Sequence, residues 1–253
     1  MPVDLDVADR CGRLAAWGTS ALQGGSTLSD AVQAITAGDG LHQVADLPGA
    51  STTQSWDEAL PQLLRLNATA LHYVPAVPGD VFGLPGPSTF NAAAAASGGA
   101  VLVAGVDVGL LPTVDVHGPP DDQVTSIRWT SWAVARRPGV TGPSLSEADR
   151  ELTERLQESL SDLERLDTAA FRPEALGLLR SPAATASPLP PGWPERAHRL
   201  LTRSQGVLAV IALARRDDGL AVTSLEVERR TDILRELERT ARRARAVAWN
   251  AGR

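Results

Sequence analysis

Asp80, Gly86, Ser88, Thr89 and Asn91 have the types and spacing to grip a small anion. They lie in "VPGDVFGLPGPSTFNAAAAASGG", residues 77–99, ahead of an alanine run. Ser88 or Thr89 can cap a helix over Phe90–Ser97, whose first N–H groups have no partner inside the helix. Two hydroxyls, an amide and those N–H groups together suit a phosphate or carboxylate. Gly83 and Gly86 let the backbone approach a ligand closely. Asp80 adds a carboxylate for a metal or for general-base work. The competing reading is a stiff Pro/Gly turn in which the same residues cap only their own helix.

Other constellations are thinner. Asp115 and His117 stand two apart on a predicted strand and so share a face. A pairing of Ser88 with His117 and an Asp names a catalytic triad without any spacing that builds one. His42 and Asp46 have helical spacing in a glycine-rich setting that does not favour a helix. His72 falls within an apolar strand as a core or edge residue, and His198 between two arginines on a helix surface. Cys11 shares a helical face with Leu14, Ala15 and Gly18, which makes it a small buried hydrophobe.

Absences constrain the chemistry more sharply. The chain has no lysine, so all 24 basic residues are arginine. That removes a Walker-type phosphate loop, a kinase lysine and a Schiff-base lysine for pyridoxal phosphate. No G-x-G-x-x-G follows a strand, and there is no H-E-x-x-H or G-x-S-x-G. One cysteine excludes an internal disulfide and multi-cysteine metal sites. No cofactor and no metal are expected.

The elements that must carry these residues divide the chain in two. Residues 1–143 hold 13 acids and six arginines, whereas residues 144–253 hold 17 acids and 18 arginines. The expected division is a sheet-containing part over 1–142 and a helical part over 143–253, the two able to pack as one domain. The overall net charge of −6 argues against a nucleic-acid surface across the whole molecule. The longest apolar run, "GVLAVIALA" at 206–214, is too short for a bilayer, which needs about 20 residues. With an acidic rather than basic N-terminus, this predicts a cytoplasmic protein without a membrane partner.

In the first part, apolar periodicity predicts a helix over 5–22 ended by Gly24-Gly25, and a short one after Ser26-Thr27. Ser55 caps a third over 56–66 that contains Pro61. Strands are predicted at 69–77, 100–105, 109–117 and 124–135. "GPPDD" turns the third into the fourth. Both faces of the last strand carry a tryptophan, which places it inside the sheet or between helices. Pro112 fits an edge position or a bulge.

From Ser144 the pattern becomes helical. A leucine stripe runs from Leu145 to Leu166 behind a Ser144/Glu147 capping box. A short helix is predicted at 173–179, then a proline-rich connection over 180–194. Helices over 195–216 and from Thr223 to about 250 form an antiparallel hairpin. The second bears Arg235, Arg239, Arg242, Arg243 and Arg245, interleaved with glutamates that make a salt-bridged face the simplest reading. The fold class is α+β: a small, mostly antiparallel sheet of about four strands with N-terminal helices, followed by a C-terminal helical hairpin layer.

The segment "VPAVPGDVFGLPGPSTFNAAAAASGGAVL", then "GLLP" and a closing "ARRARAVAWNAG", resembles a family of uncharacterised actinobacterial proteins. The resemblance implies no catalytic residues. Function is expected to be non-enzymatic, through a protein partner on the C-terminal helices as adaptor or regulator. The alternatives are a small anionic ligand, bound or turned over, at 85–91, and nucleic acid at the terminal arginine face. Oligomeric state does not follow from the sequence.

Overall fold

The computed structural model describes residues 6–80, 83–119, 122–135, 142–165, 189–216 and 224–252. The chain divides into two compact units: residues 6–135 with 189–193 and Gly252, and residues 142–165 with 194–216 and 224–251.

The first unit is α+β. Helices α1 (Val7–Leu22), α2 (Leu28–Thr36), α3 (Trp56–Arg65) and α4 (Ser88–Ser97) surround a sheet of β1 (Leu41–Ala45), β2 (Ala70–Pro75), β3 (Gly99–Ala104), β4 (Val108–His117) and β5 (Val124–Ala133). The strand order is β1-β5-β4-β3-β2, antiparallel throughout except for the parallel pair β1–β5. The sheet thus has five strands where the sequence pattern indicates about four. The extra strand is β1, whose alternation is inverted: His42 and Val44 face the core while Leu41 is 54% exposed.

The first three helices of this unit start from side-chain caps. The Asp6 side chain accepts from the Asp9 N–H, Thr27 from the Asp30 N–H, and Ser55 closes a capping box with Glu58. Pro61 stays inside α3. Cys11, Leu14, Ala15 and Ala16 of α1 are fully buried, so Cys11 is a core residue.

β5 is an inner strand with helices on both faces. Trp129 meets Trp56 of α3 edge-on, centroids 5.8 Å apart, on one face. On the other, Trp132 lies 6.3 Å from Phe90 of α4. Burying aromatic area on both faces explains why neither tryptophan sits in a polar alternation.

The outer edge of β2 is covered by α1. One hydroxyl, that of Thr19, donates to the Leu71 carbonyl (3.0 Å) and accepts from the Leu71 N–H (2.8 Å), as a neighbouring strand would. Both partners are buried. Thr19→Val keeps the shape and strands two backbone groups, so we expect a loss of about 1–3 kcal/mol in urea unfolding.

The second unit contains α5 (Leu145–Arg165), α6 (Glu195–Arg216) and α7 (Ser224–Trp249). The Ser144/Glu147 box forms: the Ser144 N–H donates to Glu147 (2.8 Å) and the Glu147 N–H to the Ser144 hydroxyl (3.2 Å). Ala148, Leu152 and Leu163 of the leucine stripe are buried, as are Val207, Val210, Ile211, Leu234 and Leu237 of the facing helices. Arg203 joins α6 to α5 through Asp149 (3.0 Å) and Thr153 (2.8 Å), and Arg215 joins α6 to α7 through Glu238 (2.6 Å). Arg230 donates to the Ala214 carbonyl (2.7 Å), capping the end of α6. The expected helix at 173–179, most of the connection at 180–194 and the Thr223 cap lie outside the described residues. No described helix is long and apolar enough to cross a membrane.

Candidate functional site

Within the segment from Val77 to Gly99, residues 77–80 form a turn and residues of 84–94 pack on the sheet. The N–H of Val77 donates to Asp80 O (3.1 Å) and the N–H of Asp80 to Val77 O (2.9 Å), closing a tight turn over Pro78-Gly79, with Gly79 at φ +85°. That conformation suits glycine at the third position of a proline-led turn. Asp80 therefore belongs to a turn of its own. Leu84, Phe90 and Ala94 form a buried cluster with Ala76, Ala100 and Leu111, and Val74, Leu102, Trp132 and Val134 lean on it.

The helix starts one residue earlier than the serine cap implies. Pro87, not Ser88 or Thr89, is the N-cap, at φ −65° and ψ 174° with no side-chain cap bond. Its carbonyl accepts from the Asn91 N–H (3.0 Å). Proline's fixed φ suits that position, and the hydroxyls move out into the first turn. Ser88 and Thr89 are exposed. Asn91 turns inward on the loop: its Oδ1 accepts from the Gly86 N–H (3.0 Å), where Gly86 has φ +86°. Of the five candidate residues the structure joins Gly86 with Asn91. It sets Ser88 and Thr89 beside them on the surface and Asp80 in a separate turn.

A buried polar chain lies on the other side of the same sheet. Arg10 of α1 grips Asp39 with two bonds, Nε to Oδ2 at 3.0 Å and Nη2 to Oδ1 at 2.6 Å. Asp39 Oδ2 also lies 3.2 Å from His42 Nε2, and Trp129 Nε1–H donates to His42 Nδ1 at 3.3 Å. Because Nδ1 accepts, the imidazole proton sits on Nε2 and points at Asp39. The Asp39 side chain is 0% exposed and that of Arg10 is 5% exposed. Burial pushes the Asp39 carboxyl up, but the hydrogen bonds from His42 and Arg10 and the guanidinium charge outweigh it, leaving the carboxyl below its usual range. Every ring nitrogen and carboxylate oxygen in this chain is engaged and shut off from solvent. It ties α1, the α2–β1 connection and β5 together and offers no face to a substrate. Sequence reading missed it, since Asp39 meets Arg10 across 29 positions with no spacing signal.

Among the described residues no group of three His, Cys, Asp or Glu side chains gathers to hold a metal ion. Asp115 and His117 do share a face of β4, standing opposite Ser126 and Val124 of β5. Both are exposed.

In the second unit the terminal arginines find acids on their own helix. Arg235 pairs with Asp232 (2.6 Å), Arg239 with Glu236 (2.7 Å) and Arg242 with Glu238 (3.0 Å). Arg245 is buried. α6 differs from its neighbours. Val207, Val210 and Ile211 point inward, yet the opposite side of the same turns carries Leu208, half-buried, with Ala209, Ala212 and Leu213 exposed. The signal was present in the sequence as an apolar run lacking a polar face.

A family model described as "Rv1486c-like protein, N-terminal domain" matches residues 11–142, and one described as "Rv1486c-like protein, C-terminal domain" matches residues 146–246. No curated protein and no solved structure matches the chain.

Proposed function

We propose that this chain, which belongs to the Rv1486c-like protein family, acts by binding another protein through α6 rather than by catalysis. The observation that carries this reading is the outward stripe of Leu208, Ala209, Ala212 and Leu213. A helix apolar all round is normally enclosed, and an uncovered apolar stripe marks a surface that a partner covers. Leu213 is 41% exposed and is flanked by two alanines small enough to admit a second helix at close range. The partner is an amphipathic helix whose apolar side meets this stripe, recognised through anchors at helical spacing. The buried Cys11, the one cysteine of the chain, forms no disulfide and fits a cytoplasmic setting for this regulator or adaptor.

Leu208→Glu/Leu213→Glu tests it. We expect an unchanged melting temperature, because the substituted side chains stand outside the helical core. Partner proteins held by the parent chain in affinity capture should be lost. A captured set identical for parent and variant sinks the proposal.

A small anion at the start of α4 is the second reading. What favours it is that Pro87 contributes no side-chain cap, so the first-turn N–H groups stand beside the exposed Ser88 and Thr89 hydroxyls. Titration with inorganic phosphate and simple sugar phosphates decides it. Binding that disappears in Ser88→Ala supports the site, and the absence of any shift in melting temperature removes it.

A further inference from the structure

β4 continues past its neighbour. Its pairing with β3 ends at Leu110 opposite Val101, while its pairing with β5 continues to His117 opposite Val124. Among the described residues, 113–117, "TVDVH", therefore have a strand neighbour, β5, on one side only. Strand parity fixes which groups lie on the open side. The N–H of Val134 donates to Asp107 O, so odd-numbered residues of β4 turn their backbone groups toward β5. Even-numbered residues turn theirs outward. The Pro112 carbonyl confirms this by accepting from the Ser97 hydroxyl at 2.7 Å. Pro112 accordingly occupies an edge position, where a missing N–H costs nothing. Beyond it the N–H and C=O of Val114 and Val116 have no partner among the described residues. Val116 is 55% exposed.

An unpaired strand edge with exposed valine is a template for another strand. Its own sequence says which one. In an antiparallel pairing of this edge with a second copy, centring on Val116 places Val116 opposite Val116 of the other copy. Both outward backbone groups are then used. Asp115 stands opposite His117 of the other copy, twice, on the same face of the joined sheet. Centring on Asp115 would set two carboxylates opposite each other, which is repulsive. Centring on Val114 would bring up Pro112, which has no N–H and whose carbonyl is already taken. We propose that β4 residues 113–117 form a self-complementary edge through which two copies of this chain pair about a two-fold axis at Val116. The two sheets then join into one, with reciprocal Asp115–His117 contacts across the seam. Such an interface is isologous and closed, so it stops at a dimer.

Sedimentation of the full chain over a range of concentrations tests this. The parent chain should move from monomer to dimer as concentration rises. Val116→Pro deletes an outward N–H that no described residue uses, so it should leave the circular dichroism spectrum intact and weaken the dimer at least about tenfold, the fold-change for 1.4 kcal/mol. His117→Asp, a surface change that leaves folding intact, should weaken it as well by facing Asp115 with another carboxylate. Asp115→His/His117→Asp exchanges the two partners and should restore dimerisation. Leu213→Glu should leave the dimer unchanged, which separates this seam from the helical surface. A parent chain that stays monomeric overturns the proposal. So does a dimer indifferent to Val116→Pro, or one that the exchanged pair does not rescue.

Discussion

Asp39→Ala should cost about 3–5 kcal/mol of stability at neutral pH, measured by urea unfolding, and should be the most damaging polar substitution in the sheet-containing unit. Removing the carboxylate leaves the Arg10 guanidinium, 5% exposed, without its two bonds, and leaves the His42 N–H facing a void. Breaking a buried pair from one side costs far more than the pair is worth as a whole. The pH dependence follows from the same residues. The folded carboxyl titrates below the unfolded value of about 3.9, so its contribution is fully present above that pH. It is lost as pH falls through the depressed folded value. Asp39→Asn should therefore lower stability at pH 7 and flatten the acid limb of the stability curve. An Asp39→Asn variant whose acid limb parallels that of the parent would show that the chain from Arg10 to Trp129 carries little stability.

Phe90→Ala should cost about 3–5 kcal/mol, and Ser88→Ala, two positions earlier, less than about 0.5 kcal/mol. Phe90 is fully buried, stands over Trp132 and fills the space above Gly109, where a Cβ would run into its ring. It is the main anchor of α4 and of the turns that precede it. Ser88 is exposed and caps nothing. The contrast separates two roles for one segment. If the segment is mainly a packed corner, truncating Phe90 exposes the preceding loop to rapid hydrogen exchange. A Ser88→Ala variant that proved the more costly would put the polar rim of the helix at the centre of the site instead.

Four of the five strands were legible in the sequence, β2 among them from the run over 69–77 that Pro78-Gly79 closes. β4 and β5 are the apolar runs on either side of "GPPDD", and both form with continuous pairing from Val108–Ala133 to His117–Val124. β3 is a short apolar run led by glycine. β1 was not legible, because its buried positions are His42 and Val44 while its leucine faces outward. A polar residue on the core side reads as a loop unless its partners are known, and those partners, Asp39 and Trp129, come from a connection and a distant strand. The same limit applied to the candidate site. Ser88 has the side chain of a cap, but the backbone of Pro87 takes the position. Asn91 has the side chain of a ligand-binding residue, but Gly86 uses its oxygen. In the helical unit the reverse holds. The apolar middle of α6 was visible in the sequence, and only the packing shows that its Leu208 and Leu213 side is left outside.

A photo-reactive benzophenone side chain placed at Leu213 tests the central claim, that the outer face of α6 is a protein-binding surface, most directly. The same group at Arg150, exposed on the charged side of α5, serves as the control. Irradiation in cells should give a discrete covalent adduct with another protein from position 213 and none from position 150. Identical products from the two positions, or no adduct from either, would contradict it.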